Sequence, residues 1–224
     1  MAAEAVQPNE GRRYRGKSAE ERRADQRQRL VRAAIEEFAD RGYHKTSVED
    51  IVRRAKTSRT AFYAFFDNRD DAMYGALQMS LRLLLDHVRA ALYAAKPGDD
   101  LLGVAITAYV EYLAIDQSAA AITLMEARGA SPEVNMLRSR TRRELADLVR
   151  DMWAEFDRPA AEGTYAQTIS MGVLGIITES MLHLAEGGRL SEAPEHVPAV
   201  ITAVNRVLGR PEENPAKTSR PHLA

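Results

Sequence analysis

The chain has 224 residues, 45% of them apolar and 28% charged, with a formal net charge of -1, which suffices for a packed core without covalent staples. It contains no cysteine; that excludes disulfides, thiolate nucleophiles and Cys-ligated zinc or iron-sulfur sites, and fits a reduced, cytoplasmic setting. The charge is uneven: residues 1–66 hold fifteen Lys and Arg against ten Asp and Glu, a net of +5, whereas the remainder nets -6, so only the first third is arranged to meet a polyanion.

Residues 1–20 mix Gly, Pro, Gln and Arg without apolar periodicity and without the apolar core of a signal peptide, and read as a disordered basic arm. Arg12, Arg13, Arg15 and Lys17 in it suit a DNA minor groove or backbone, and equally a solubilising tail. In RLVRAAIEEFADRGY, Leu30, Ala34 and Phe38 fall at i, i+4 and i+8 with Val31 and Ile35 beside them; the pattern predicts a first helix that stops at Gly42. TSVEDIVRRA predicts a second, nine-residue helix with Thr46 as N-cap and Glu49 completing an S/T-x-x-E box. A polar connector, KTS, then leads to Ser58 as N-cap of a third short helix, RTAFYAFF.

Asp67 or Asn68 caps a fourth helix, with Asp70 and Asp71 in its first turn, running as far as the KPGDD break at residues 96–100. Further helices are predicted at about 100–116, 118–128, 132–156, 160–186 and 194–208, and no stretch alternates as a strand would. The apolar runs LLGVAITAYVEYLAI and ISMGVLGIITESMLHLA are interrupted by Glu111 and by Glu179 and His183. At fewer than about 20 residues each reads as a buried helix and not a membrane span. The expected fold is all-α with about nine helices, followed by a disordered tail over 211–224.

Two short helices joined by a brief turn, behind a longer one, form a helix-turn-helix whose second helix enters the DNA major groove. The residues in AKTSRTAFYAFFDNRDD, 55–71, suit that use. Phe62 and Phe66, at i and i+4, turn inward to Ile51, Ala55 and Phe38, leaving Arg59, Thr60, Tyr63 and Ala64 on the opposite face. Arg59 suits bidentate reading of a guanine, Thr60 a thymine methyl or an acceptor edge, and Tyr63 a phosphate. Thr46 and Arg69, at two helix starts, suit further phosphates, joined by Lys56, Thr57 and Ser58 of the turn. A solvated helical hairpin with no partner would show the same apolar spacing.

TSVEDIVRRAKTSRTAFYAFFDNRDDAM, preceded by RLVRAAIEEFADRGYHK, resembles the DNA-binding domain of the TetR family of bacterial transcriptional regulators, over about residues 25–75. The resemblance implies DNA contacts from Thr46, Ser58, Arg59, Thr60, Tyr63 and Arg69, with Phe38, Gly42, Ile51, Ala55, Phe62 and Phe66 as structural positions. It departs from the family at the turn, where Lys56 and Thr57 replace the usual Gly-Val, and at Ala64, where a larger residue is common. It implies a helix-turn-helix domain at 21–75 and a ligand-binding and dimerisation domain at 76–210. The expected function is that of a homodimeric regulator of double-stranded operator DNA, a repressor released by a small apolar or amphipathic effector. A DNA-binding architectural protein that senses nothing is the competing expectation.

Candidate residues for the effector pocket are large or semi-polar groups on apolar helices: Leu84, His87, Tyr109, Tyr112, Met125, Trp153, Met171 and His183. Each equally suits a plain core. Ser170, Gly172, Gly175 and Ser180, with Val204 on the helix that follows, suit close approach of helices in a four-helix dimer interface. No membrane contact, cofactor or metal is expected. The sequence has no HExxH, no phosphate-cradling glycine loop, no nucleophile elbow and no Glu-x-x-His pair, so it offers no catalytic residue and an enzyme is not expected.

Overall fold

A computed structural model describes residues 18–127, 130–156 and 162–209. The basic residues of the arm, Arg12, Arg13, Arg15 and Lys17, and the tail lie outside the described residues. Among the described residues nine α-helices follow one another in the order α1 Ala19–Arg41, α2 Val48–Arg54, α3 Arg59–Tyr63, α4 Arg69–Ala94, α5 Leu101–Ile115, α6 Gln117–Ala121, α7 Pro132–Phe156, α8 Gly163–Glu186 and α9 Ala193–Val207. Short 3-10 turns occupy Tyr43–Lys45 and Leu190–Glu192, a π-helical segment Ile122–Glu126 continues α6, and no strand occurs among the described residues.

Several helix ends sit where local chemistry puts them. The α1 helix starts at Ala19, inside the expected arm, because Ser18 and Glu21 close a reciprocal capping box. Asn68, of the two candidates, caps α4 by accepting from the Asp71 amide at 2.9 Å. The expected cap of α2 is corrected: Ser47 and not Thr46 stands at the N-cap, and Asp50 and not Glu49 completes the box. Thr46 is 1% exposed, and its hydroxyl donates to the carbonyls of Glu37 (3.1 Å) and Gly42 (2.9 Å), so it braces the end of α1. The third helix closes after five residues and continues as turns to Phe66.

Two apolar cores share one helix. The head core gathers Leu30, Val31, Ile35 and Phe38 of α1, Ile51, Phe62, Phe66 and, from α4, Met73 and Leu77. The body core holds Leu84 and Val88, further along α4, with Leu113, Trp153, Ile177 and Met181. The division therefore falls in α4 beyond Leu81, later than residue 75, and Ile122, Ala127 and Val134 of the body chain complete the head core. The segment from Asp116 to Glu126, which carries Ile122, is pinned at one end to α1 and at the other to the turn that follows α1. Arg32 donates to Asp116 at 3.2 Å, and the Tyr43 amide donates to Glu126 Oε2 at 2.8 Å. Asp116 also caps α6 through the Ala119 amide.

The α8 helix spans 24 residues and is long and apolar enough to cross a bilayer by length and composition, contrary to the expectation for that run; 39% of its apolar window is buried. It packs on α7 and α9 through Val173, Leu174, Ile177 and Met181. Gly172 is exposed, and an added Cβ at Gly172 or Gly175 would meet nothing within 4 Å. Ser180 lies partly open on the helix, whereas Ser170 (1% exposed) and Val204 (0%) are buried within the chain, which corrects their expected place in a dimer face.

Asp50 ties α2 to α1. Its carboxylate accepts from Ser47 Oγ (2.6 Å) and the Ser47 amide (2.9 Å), and also from Arg53 (2.6 Å) and Arg41 (2.7 Å). The Ser47 hydroxyl and amide first, then the two guanidiniums, hold it down to about 2 against its ordinary value. With the folded pKa below the unfolded one of about 4, this stabilisation is full above that pH and fades as pH falls toward about 2. Asp50→Asn is expected to lower stability at pH 7 by about 1–3 kcal/mol, and the deficit should shrink between about pH 4 and 2. Urea unfolding of both proteins across that range checks it.

Candidate nucleic-acid interface and effector cavity

The turn between α2 and α3 is built on an unusual residue. Lys56 has φ +51°, the left-handed region that favours glycine, while its amide bonds the Arg53 carbonyl at 3.2 Å and the Thr57 amide bonds Val52 O at 3.0 Å. Ser58 then caps α3 by accepting from the Ala61 amide at 3.1 Å. Phe62 is fully buried and Phe66 nearly so, with ring centroids 5.3 Å apart. That anchoring turns the other side of α3 outward: Arg59, Thr60 and Ala64 are exposed, as is Tyr63 at 48%, joined by Lys56 and Ser58, with Thr57 half-buried.

Not every expected cation is spare. Arg69 lies 4.3 Å above the Tyr43 ring and donates to the carbonyls of Thr46 (3.2 Å) and His44 (3.4 Å), so it fixes the loop between α1 and α2. The Tyr43 hydroxyl donates to Asp70 beside it. Thr46, buried as described, offers no hydroxyl to a phosphate. Two cations that the sequence reading left out lie beside α3: Arg23 stacks over Phe65 at 5.2 Å and donates to Ala64 O at 3.4 Å, and Arg27 lies 5.7 Å over Phe66. The first half of α1 thus holds the end of the outward helix, a role signalled by the SAEE capping box that starts α1 upstream of the apolar repeat.

The body holds a half-open cavity of about 120 Å³ between α4, α5, the π-helical segment, α7 and α8. Leu77, Leu81, Leu84 and Leu174 give it an apolar side, whereas Arg138, Thr141 and Arg142 of α7 stand on the other with Thr123 of the π-helical segment. An apolar slot of about 40 Å³ lies beside it and shares Tyr109, Leu145 and Leu174. Burial pushes the Tyr109 phenol well above its ordinary value, so this hydroxyl stays neutral beside both spaces.

Of the residues expected to line a pocket, Leu84 and Tyr109 do. His87 and Tyr112 meet as tilted rings with centroids 5.7 Å apart and line neither space, and burial raises the Tyr112 phenol to about 12. Met125 packs against the body core and Trp153 lies within it, 3% exposed. Met171 faces a separate cleft of about 50 Å³ between α7 and α8. His183 is exposed, which corrects its place. The polar residues Arg138, Thr141 and Arg142 were missed because α7 is charged along most of its length and reads as solvated, and Thr123 because it lies in an apolar run. Among the described residues no group of three His, Asp or Glu is placed to hold a metal ion.

Residues 30–72 match the family description "Bacterial regulatory proteins, tetR family". The chain is 25% identical over 158 residues, 70% of its length and 71% of the other's, to the "HTH-type transcriptional activator FasR" of Mycolicibacterium smegmatis. It is 21% identical over 144 residues, 64% of its length and 71% of the other's, to the "Fatty acid metabolism regulator protein" of Bacillus subtilis. Its fold is similar to the fatty acid degradation regulator FadR of Bacillus halodurans, with a TM-score of 0.71 at 18% identity over 82% of this chain and 95% of that one. It is also similar to FadR of Bacillus subtilis solved in complex with stearoyl-CoA, with a TM-score of 0.70 at 17% identity over 79% and 96%.

Lys56 tests the turn directly. A left-handed non-glycine residue costs about 1–2 kcal/mol, part of which glycine returns through its freer unfolded chain. Lys56→Gly is expected to raise stability by up to about 1 kcal/mol. It should also weaken binding to all duplexes alike and lower the salt slope by about 1. Thermal unfolding and salt-titrated binding separate the two effects.

Proposed function

We propose, from the premise that the chain is a TetR-family transcriptional regulator carrying its DNA-binding head at residues 30–72, that it holds operator DNA as a homodimer and releases it when an acyl chain with an anionic head group enters the body. The observation that carries this reading is a cleft lined by leucines together with Arg138 and Arg142, beside an apolar slot that shares Tyr109, Leu145 and Leu174 with it. That combination suits a hydrocarbon tail and a carboxylate or phosphate. The relatives named for fatty-acid regulation, and the FadR that holds stearoyl-CoA, support the same ligand class.

Size links occupancy to the head. A cavity of about 150 Å³ takes a guest no larger than benzene, so a long acyl chain must part α7 from α4 and α8. The wall it displaces includes Thr123 and Leu124. Their own segment ends in Glu126, which grips the loop after α1, and contributes Ile122 to the head core. Two heads about 34 Å apart on B-DNA lose their fit after a small rotation. Release is therefore the favoured sense of the coupling.

On the DNA side, Arg59 and Thr60 read base edges, while Tyr63, Lys56, Thr57 and Ser58 meet phosphates. The homodimer joins through the open face of α8 around Gly172 and Gly175. A protein seated across a promoter blocks transcription, which makes repression the first reading. The relative named as an activator favours activation as the second, and transcription from the bound promoter in vitro separates them.

A duplex enriched from a random library by the full-length protein should bind at least about 10³-fold tighter than a scrambled one. Long-chain acyl-CoA should release it, and Arg142→Ala should need more ligand for the same release. A protein that holds the enriched duplex at every acyl-CoA concentration would favour the non-sensing architectural role. Arg59→Ala should cost about 1–3 kcal/mol on the enriched duplex and relax selection at one base pair, whereas Tyr63→Phe should weaken all sequences about equally; repeated enrichment with each variant reads both.

A further inference from the structure

The outward face of α3 carries one anion within reach of its central cation. Glu49, in the first turn of α2, places Oε1 2.5 Å from Arg59 Nη1. Tyr63 holds the other side of the same guanidinium, with its hydroxyl 3.5 Å from Nη2 and its ring 5.9 Å below Cζ. Both members of the ion pair are largely open, with 61% of the Arg59 and 51% of the Glu49 side chain exposed. A pair this exposed adds little to stability, and the capping box of α2 is already closed by Asp50. The fold does not account for it.

Its position does have a consequence for binding. A carboxylate on this face is repelled by phosphates, and a guanidinium held by a carboxylate presents no net charge to DNA. Arg59 meets guanine O6 and N7 in bidentate fashion only after it leaves Glu49. On a duplex without a guanine at that place the pair stays closed. We propose that Glu49 is the counter-ion from which DNA must displace Arg59, so that it restrains binding to every duplex and restrains binding to the preferred one most. This rests on the assignment of Arg59 as a base reader.

Two separable effects follow when the carboxylate is replaced by the isosteric amide. Removing one negative charge from the DNA-facing surface tightens all duplexes by a similar factor. Removing the partner that Arg59 must abandon tightens only the duplex that draws Arg59 away. The size of the second effect is the strength of an exposed ion pair, about two- to fivefold.

The test measures binding of the full chain to a duplex enriched from a random library and to a scrambled duplex. It compares Glu49→Gln with the unchanged protein, each also in an Arg59→Ala background, and checks folding of every variant by thermal unfolding. The expected result is tighter binding to both duplexes by Glu49→Gln, with the enriched-to-scrambled ratio raised about two- to fivefold and no rise in that ratio when Arg59 is absent. An unchanged ratio would reduce Glu49 to a general repulsive charge. A lowered ratio would make it a reader of DNA in its own right, as for a carboxylate accepting from cytosine N4, and a rise that persists without Arg59 would remove the displaced pair as its cause. Each of these three results overturns the proposal. Failure of the unchanged protein to enrich any duplex overturns the base-reading assignment itself, a result distinct from the other three.

Discussion

Everything in this molecule depends on α4 being one helix shared by two cores. Met73, Ala76 and Leu77 are fully buried in the head, and Leu84 and Val88, two and three turns further on, are buried in the body. An α-helix does not bend without a specific cause such as proline or an inserted water, and interiors at crystal-like density transmit displacement instead of absorbing it. A change of packing around Leu81 and Leu84, where α4 lines the cavity, is therefore felt at Asn68 and Arg69, where the same helix meets the head. The segment from Asp116 to Glu126 runs beside it as a second connection, pinned to α1 through Arg32 and to the turn that follows α1 through the Tyr43 amide. Two attachments resist independent rotation of the head more than one would, and both border the same cavity.

The head is held together by charge in addition to apolar packing. Arg54 donates to Glu37 (2.8 Å), Asp40 (2.6 Å) and Glu36 (3.4 Å), Asp50 draws in Arg41 and Arg53, and Arg69 braces the loop after α1. Arg54, Arg41 and Arg69 thereby hold α2 and its loop against α1, while Arg53 pairs with Asp50 within α2. The excess positive charge of the first third is thus partly structural, and the cations proposed to meet DNA concentrate at the turn and on α3. A short recognition helix of five residues has little stability of its own; it keeps its direction because Phe62 and Phe66 anchor it from within and Arg23 holds its last carbonyl from outside. The left-handed Lys56 fits the same economy, since a strained turn persists only where surrounding contacts over-determine it.

Much of the head was legible in the sequence, for a physical reason. Leu30, Ile35 and Phe38, and then Phe62 and Phe66, recur at the helical period, and that period alone chooses the inward face and hence the outward one. The α2 cap shows the limit of local reading. Thr46 with Glu49 and Ser47 with Asp50 both satisfy the same capping pattern one residue apart, and the choice fell to Ser47 because the Thr46 hydroxyl is claimed by the carbonyls of Glu37 and Gly42. Arg69 was expected to face phosphate, and the aromatic ring that draws it inward comes from Tyr43, 26 positions away in sequence. Ser170 and Val204 read as surface seams of small or β-branched residues, yet neighbouring helices bury both.

The sequence by itself determined the helical class, the helix-turn-helix, the inward aromatics and the exposed set Lys56, Ser58, Arg59, Thr60 and Tyr63. Those features follow from spacing within ten or so residues, where the backbone geometry is fixed in advance. The tertiary structure alone decided which cations remain open, that α4 serves two cores, that a π-helical segment joins cavity to head, and that Arg138 and Arg142 stand beside leucines of other helices. Each of these depends on contacts between residues tens of positions apart, whose proximity is set by how the helices pack and leaves no periodic trace in the chain.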